Sequence, residues 1–507
     1  MTRKKGPARK HPQLPFKTAR LQMDESIELT IASLAAYATT RPHWAIAWSG
    51  GKDSTALLTL VVYLILAGLI PAPLSLTVLY ADTRMELTPL WLSAQSIRDE
   101  LEDKREALAA LGCELRVETV MAPLDRRFLV YMLGRGVPPP NNGTLRWCTE
   151  KIKIEPMRRA LEALGVSLGL GEYVAQTTKK GKVTGKRVYR TFVPKDLPEG
   201  APNPNKILVL TGVRQGESAV RDGRIAMSCS RGDAECGQGW YQETLPQSVC
   251  DTLAPIVHWR VCHVWEWLRT WAPRPEYGDW TTTLLADAYG GKEAEESGAR
   301  TGCVGCPLAT EDRALERILQ NPNWCYLAPL RGLRDLYREL RTPPLRLRKP
   351  GGEKRKDGSL VPNQNRMGPI TLDGRRRSLQ RVLAIQAEVN AAADALGRPR
   401  VDILNAEEAL RITELIEAGT MPQKWDGTEP TADEPFEEIA ADGSVQQLLH
   451  GVFEDESDVD EDLDSPSVTP SEGASEAPPK PLHHPLSKPL SDPLTKPPTR
   501  GPGDPLA

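Results

Sequence analysis

The sequence predicts an α/β protein: a parallel, twisted sheet flanked by helices, with a mostly helical, cysteine-bearing C-terminal part. Three observations carry that prediction. An apolar run, Trp44 to Trp48, breaks into the turn SGGKDS (49–54) and then into a helix-like apolar segment. Strand-like runs then alternate with helix-length segments, the pattern of a parallel sheet covered on both faces. After Trp425 the hydrophobic periodicity is lost.

Taken in order, residues 1–22 read as a disordered basic arm. From Asp24 to Thr40 apolar residues recur at helical spacing (Ile27, Leu29, Ile31, Leu34, Ala35), with Asp24 as the expected N-cap. Strand 44–48, the glycine turn and helix 54–68 follow, and then strand LSLTVLYAD, Leu74 to Asp82. A helix is expected from Pro89 to Leu111, with proline in its first turn and Gly112 just beyond its end. Strand 115–120 and helix 154–164 come next, and a polar stretch, 177–205, reads as an insertion or β-ribbon. Strand 207–213 resumes the sheet. PIVHWRVCHVWEWLRTW (255–271) is a Trp-dense helical segment; Val261, Val264 and Leu268 at helical spacing favour core packing over base stacking. The domains expected are thus an α/β domain over 23–254, a helical region over 255–425 and a disordered acidic, Pro-rich tail over 426–507.

The longest apolar run, Ala56 to Ile70, is too short for a bilayer span and directly follows the turn, so a buried helix is expected and no membrane partner. The basic N-terminus lacks an apolar h-region; no signal peptide is read, and a cytoplasmic location is expected. The formal net charge of −3 hides an asymmetry: residues 426–507 hold 19 acidic and 4 basic residues, while the first 425 hold 60 basic and 48 acidic. A basic body suits a polyanion such as DNA. Arg334, Arg338 and Arg341 share one face of an expected helix in its basic region, 331–381.

A strand that ends in a small glycine turn opening a helix is a phosphate cradle. The glycines let backbone amides approach an anion, and the helix N-terminus adds partial positive charge. Ser49, Gly50, Gly51, Lys52, Asp53 and Ser54 supply hydroxyls, amides, a cation and a carboxylate for Mg²⁺. The spacing is not that of a Walker loop. Asp82 ends the neighbouring strand, on the edge where such sheets bind ligands.

Nine cysteines in an intracellular context point to ligands or thiols rather than disulfides. GCVGC places Cys303 and Cys306 in a metal-ligating CxxC, half a site. Cys148 (RWCTEK) and Cys262 (RVCHVW) are the candidates to complete it. Four thiolates fit an iron–sulfur cluster or a structural zinc; a redox dithiol at Cys303 and Cys306 is the third option.

With these motifs in hand, roughly residues 40–425 resemble the phosphoadenosine phosphosulfate reductase-like superfamily of PP-loop ATP pyrophosphatases, with an adenine nucleotide alpha hydrolase-like fold. Within it the chain is most similar to the DndC-like DNA phosphorothioation proteins. SGGKDS matches the PP-loop, LYADTRME (79–86) resembles the strand bordering the nucleotide, and RWCTEKIKIEP (146–156) resembles a C-x₄-K-x₂-P segment giving Cys148, Lys153 and Pro156. TGVRQGESAVR (211–221), PIVHWRVCHVWEWL, GCVGCP and RMGPITLDGRRRSLQRVLAIQ (366–386) match further family stretches. The chain departs in lacking an additional cysteine just before GCVGC, where Cys262 is the substitute expected. It also has Trp147-Cys148 in place of the adjacent cysteines of cluster-type sulfonucleotide reductases.

The resemblance implies catalysis by Lys52, Asp53, Arg214 and Arg221, with Gly212 and Glu217 completing the nucleotide site. It implies ATP and Mg²⁺, a 4Fe-4S cluster on Cys148, Cys262, Cys303 and Cys306, and DNA whose backbone phosphate is adenylated for sulfur incorporation. A cysteine desulfurase as sulfur donor and other phosphorothioation proteins are the partners implied. A sulfonucleotide reductase or a tRNA or small-molecule thiolase on the same fold is the alternative. A non-catalytic, cluster-bearing DNA-binding scaffold is another.

Overall fold

The central sheet has five strands, all parallel, in the order β3-β2-β1-β6-β7. The computed structural model describes residues 21–38, 40–141, 145–175, 190–194, 206–216, 249–289, 302–309, 311–350, 358–359, 366–433, 436–439 and 445–448. The strands are β1 (His43–Trp48), β2 (Ser75–Asp82), β3 (Glu114–Met121), β6 (Ile207–Leu210) and β7 (Cys250–Leu253); β4 (Gly171–Ala175) and β5 (Arg190–Pro194) pair separately as an antiparallel ribbon. Register is set by pairs such as Trp44 with Leu76 and Ile46 with Leu210.

β1 and β2 are nearly continuous apolar runs because both faces are covered. Helix α1 (Met23–Ala38) starts one residue before the expected cap, so Asp24 lies in its first turn. Helix α2 (Lys52–Leu66) is buried along almost its whole length, as a helix apolar on every side must be. The helix expected over 89–111 is two: α3 (Thr88–Asp103) and α4 (Arg105–Ala110), separated at Lys104. In the Trp-dense segment only Val261–Glu266 is α-helical, followed by a wider turn over Trp267–Trp271. Trp259, Trp265 and Trp267 are almost wholly buried, and the Trp267 indole donates to Thr59 Oγ1 of α2 (2.9 Å). These tryptophans share one hydrophobic core with α2 and the sheet.

The described residues fall within one compact unit, Met1–Asp460. The expected insertion, 177–205, lies outside the described residues except for β5, as does most of the tail beyond Asp433. Among the described residues no helix is long and apolar enough to cross a membrane.

The strand order reverses at β1: β2 and β3 lie to one side of it and β6 and β7 to the other. That reversal opens a crevice beyond the carboxyl ends of β1 and β6, where open α/β sheets bind ligands. The segments entering it are 49–54, after β1, and 211–216, after β6.

Candidate functional site

At the end of β1 the chain turns through Gly50, whose φ of +71° is left-handed and suits glycine. Ser49 N–H donates to Ser54 Oγ (3.3 Å), the two hydroxyls lie 3.1 Å apart, and Ser54 Oγ donates to the Gly51 carbonyl (3.1 Å). The turn is thereby closed on itself, and α2 starts at Lys52 after Gly51, an N-cap residue with no side chain of its own to cap the helix. Trp48 Nε1 donates to Thr55 Oγ1 (2.9 Å), fixing the strand to the helix.

The loop after β6 completes the site. A Cβ on Gly212 would stand 2.7 Å from the Asp53 carbonyl carbon and oxygen and from the Ser54 nitrogen, so only glycine fits there. This contact brings Arg214 onto Asp53 Oδ1, while Lys52 Nζ holds Asp53 Oδ2 at 2.9 Å. Lys52 and Arg214 are each about 5% exposed. Two buried cations on one carboxylate are a charge reserve: a phosphate entering the crevice can take either as a partner. Mg²⁺ on Asp53 requires the same exchange, since both its oxygens are occupied by cations. Glu217 and Arg221 lie outside the described residues.

Asp82 ends β2 and is 7% exposed, its Oδ1 accepting the Arg84 N–H (2.8 Å). Arg84 is a non-glycine residue at φ +61°, held by Asp402 (2.7 Å) and Glu408 (3.6 Å). Beside it lies a cavity of about 70 Å³ whose walls include Asp82, Arg84, Glu86, Trp91, Val304 and Asp402. Glu86 takes the Thr83 hydroxyl on one oxygen (2.5 Å), while its other oxygen is buried with no hydrogen-bond partner among the described residues. Burial, foremost, raises the Glu86 pKa, with the Asp82 charge adding to it.

The cavity abuts the cysteine loop. Val304 N–H donates to the Met85 carbonyl (2.7 Å), and Cys306 N–H closes a turn on the Cys303 carbonyl (3.1 Å). The turn passes through Gly305 at φ +61°, where a Cβ would press on Leu333. Cys148, Cys303 and Cys306 are half-buried and close enough to act on one another electrostatically. Burial pushes the Cys303 thiol up to about 11, with the Lys153 ammonium pulling the other way. Cys303, above all, raises the Lys153 pKa in return, against burial, with Glu86 and the other two cysteines adding to it. Lys153 is exposed to solvent yet felt by all three thiols. No interaction of Cys262 with this group is found among the described residues; it lies in helix Val261–Glu266, whose His263 bonds the Leu21 carbonyl just before α1.

Among the described residues no three His, Cys, Asp or Glu side chains stand in position around a single ion. By chemistry alone, three thiols beside a lysine ammonium would suit an anionic iron–sulfur group.

Two arginines of the expected DNA-facing helix serve this loop instead. Arg334 donates to the Ala309 carbonyl, and Arg341 to those of Pro140 and Pro307. Tyr289, whose hydroxyl accepts the Lys52 N–H (3.1 Å), carries no signal in the amino-acid pattern, because DAYGG resembles no motif. Glu86 and Lys153 stand within quoted stretches but had no assigned role. No protein-family model matches the chain, and no curated protein matches it.

Proposed function

We propose that the chain is an ATP pyrophosphatase of the PP-loop kind that adenylates an acceptor for sulfur incorporation. The observation that supports it above all is the joining of two loops at the sheet's reversal point, where Gly212 presses on Asp53 and Ser54 and sets Arg214 beside Lys52. In this reading the triphosphate lies over the amides of 50–54, and Lys52 and Arg214 exchange Asp53 for phosphate oxygens. An acceptor oxygen attacks the α-phosphorus, the bond to the bridging α–β oxygen breaks, and pyrophosphate leaves with its charge neutralised by these cations and Mg²⁺. A sulfur nucleophile then displaces AMP, with no net oxidation.

The family likeness makes the acceptor a DNA backbone phosphate. A cluster held by Cys148, Cys303 and Cys306 would supply a place to bind or hand over sulfur. Lys153 balances the thiolates' charge, and the partly apolar cavity beside Val304 limits water near them. A base or small sulfur compound as acceptor is the second reading; Arg334 and Arg341, each giving part of its guanidinium to internal carbonyls, support it.

The deciding experiment is turnover of labelled ATP by anaerobically purified protein. Pyrophosphate release stimulated by DNA, and not by tRNA or adenosine phosphosulfate, supports the first reading. Stimulation by tRNA or a small sulfur compound alone supports the second. ATP turnover undiminished in Asp53→Ala would remove Asp53 from the catalytic set, and no turnover with any acceptor would leave only the scaffold role.

A further inference from the structure

The Lys52 amide opens α2 and is one of the N–H groups that a helix cannot satisfy internally. In an anion nest such an amide faces a phosphate oxygen. Here it donates to the hydroxyl oxygen of Tyr289. The Tyr289 ring also lies 5.1 Å from the Lys52 ammonium, and a Cβ on Gly51 would meet the same hydroxyl at 3.4 Å. Tyr289 is 4% exposed and stands edge-on to Trp265, with ring centroids 5.2 Å apart. One phenol thus occupies two groups that receive phosphate, the helix amide and the lysine.

We propose that Tyr289 is the loop's internal stand-in for a phosphate oxygen, displaced when a di- or triphosphate enters. The inference rests on the triphosphate reading of the same loop. A neutral hydroxyl is suited to the part: it satisfies the buried amide in the empty protein, yet it is a weaker acceptor than a charged oxygen, whose hydrogen bonds are roughly twice as strong. Tyr289 therefore lowers the loop's affinity without closing it. Its ring must leave the face of Lys52 whenever the loop is filled.

The test is calorimetric titration of the full chain with magnesium pyrophosphate and with α,β-methylene-ATP. Tyr289→Phe keeps the ring and removes the hydroxyl, so it is expected to bind pyrophosphate about two- to tenfold more tightly than the parent. Equal or weaker binding by the variant overturns the proposal while leaving the triphosphate reading intact. A parent protein that binds neither ligand overturns both. A second measurement needs no variant: nitration of Tyr289 by tetranitromethane, read by peptide mass spectrometry. It is expected to be slow in the empty protein and to rise with saturating pyrophosphate. Unchanged protection with the ligand bound overturns the proposal even if the phenylalanine variant fails to fold.

Discussion

Gly212 shows how one missing atom positions a site. Its Cα faces the Asp53–Ser54 peptide so closely that an added methyl would sit 2.7 Å from three backbone atoms, none of which is a flexible side-chain tip. Gly212→Ala is therefore expected to push the β6 loop away, separate Arg214 from Asp53 and abolish ATP turnover. Overpacking of this kind costs about 1–3 kcal/mol, to be read from the urea midpoint. Full turnover in the alanine variant would mean that Arg214 acts from elsewhere. The cysteines give a second prediction at this scale. Cys148→Ser, Cys303→Ser and Cys306→Ser should each lower iron and sulfide content, whereas Cys262→Ser should leave both unchanged, because Cys262 lies with His263 near the start of α1. Iron lost on changing Cys262 would restore it as the fourth ligand. In the sequence Cys262 and Cys148 looked alike, each near a tryptophan and a basic residue. What differs is their surroundings, Cys148 beside Cys303 and Cys306 and Cys262 beside the residues that meet α1, and residue type does not encode that.

At the level of elements, α1 is tied to the rest of the fold by aromatic donors. His258 Nε2 bonds the Ser26 carbonyl (2.9 Å), and Trp259 Nε1 donates to Thr30 Oγ1 (3.1 Å). Burial, chiefly, lowers the His258 pKa below its ordinary 6.5, and burial with the Arg116 charge lowers that of His43. A depressed imidazole is protonated more readily in the unfolded chain. Its contribution to stability is therefore whole above pH 6.5 and is lost as pH falls from there through the folded value. The melting temperature should drop between pH 7 and pH 5, and His258→Gln should remove part of that drop; an identical pH profile would detach His258 from it. The elements legible in the sequence were those with strong local grammar. β1, β2 and β3 came within a residue or so of their observed limits, since apolar runs next to glycine turns admit few alternatives. β7 was missed: Cys250–Leu253 is four residues, CDTL, with no alternation and only its ends buried. Pairing with β6, not local preference, makes it a strand. The break at Lys104 went unseen for a related reason, as nothing in DKRE signals an end to a helix.

For the whole molecule, formal charge overstates the surface a polyanion would meet. Arg346 donates to the Gly368 and Met367 carbonyls, Arg348 to that of Ala432, and Arg375 to those of Leu133, Gly134 and Thr420. Burial pushes Arg346 down to about 9 and Arg375 to about 10. Counting residues cannot distinguish such arginines from free ones, which is why the basic region read more simply in the sequence than it does in the fold. The acidic tail enters the same balance. Residues 434–507 carry 16 acidic and 4 basic residues, whereas Ala432 is still anchored, its N–H donating to the Pro343 and Arg346 carbonyls (3.2 and 2.8 Å). A chain ending at Asp433 therefore keeps this anchor and sheds 16 of the tail's 19 acidic residues. If the body meets DNA through phosphates, this shortened chain should bind duplex DNA more tightly than the full one at about 0.1 M salt. The difference should fade toward 1 M, where the screening length is only about 3 Å. Equal affinities at every salt concentration would show that the tail does not compete for the basic surface. Failure of both forms to bind DNA would remove the backbone phosphate as acceptor and leave the triphosphate loop untouched, since Lys52, Asp53 and Arg214 owe their arrangement to Gly212 and the reversal of the sheet.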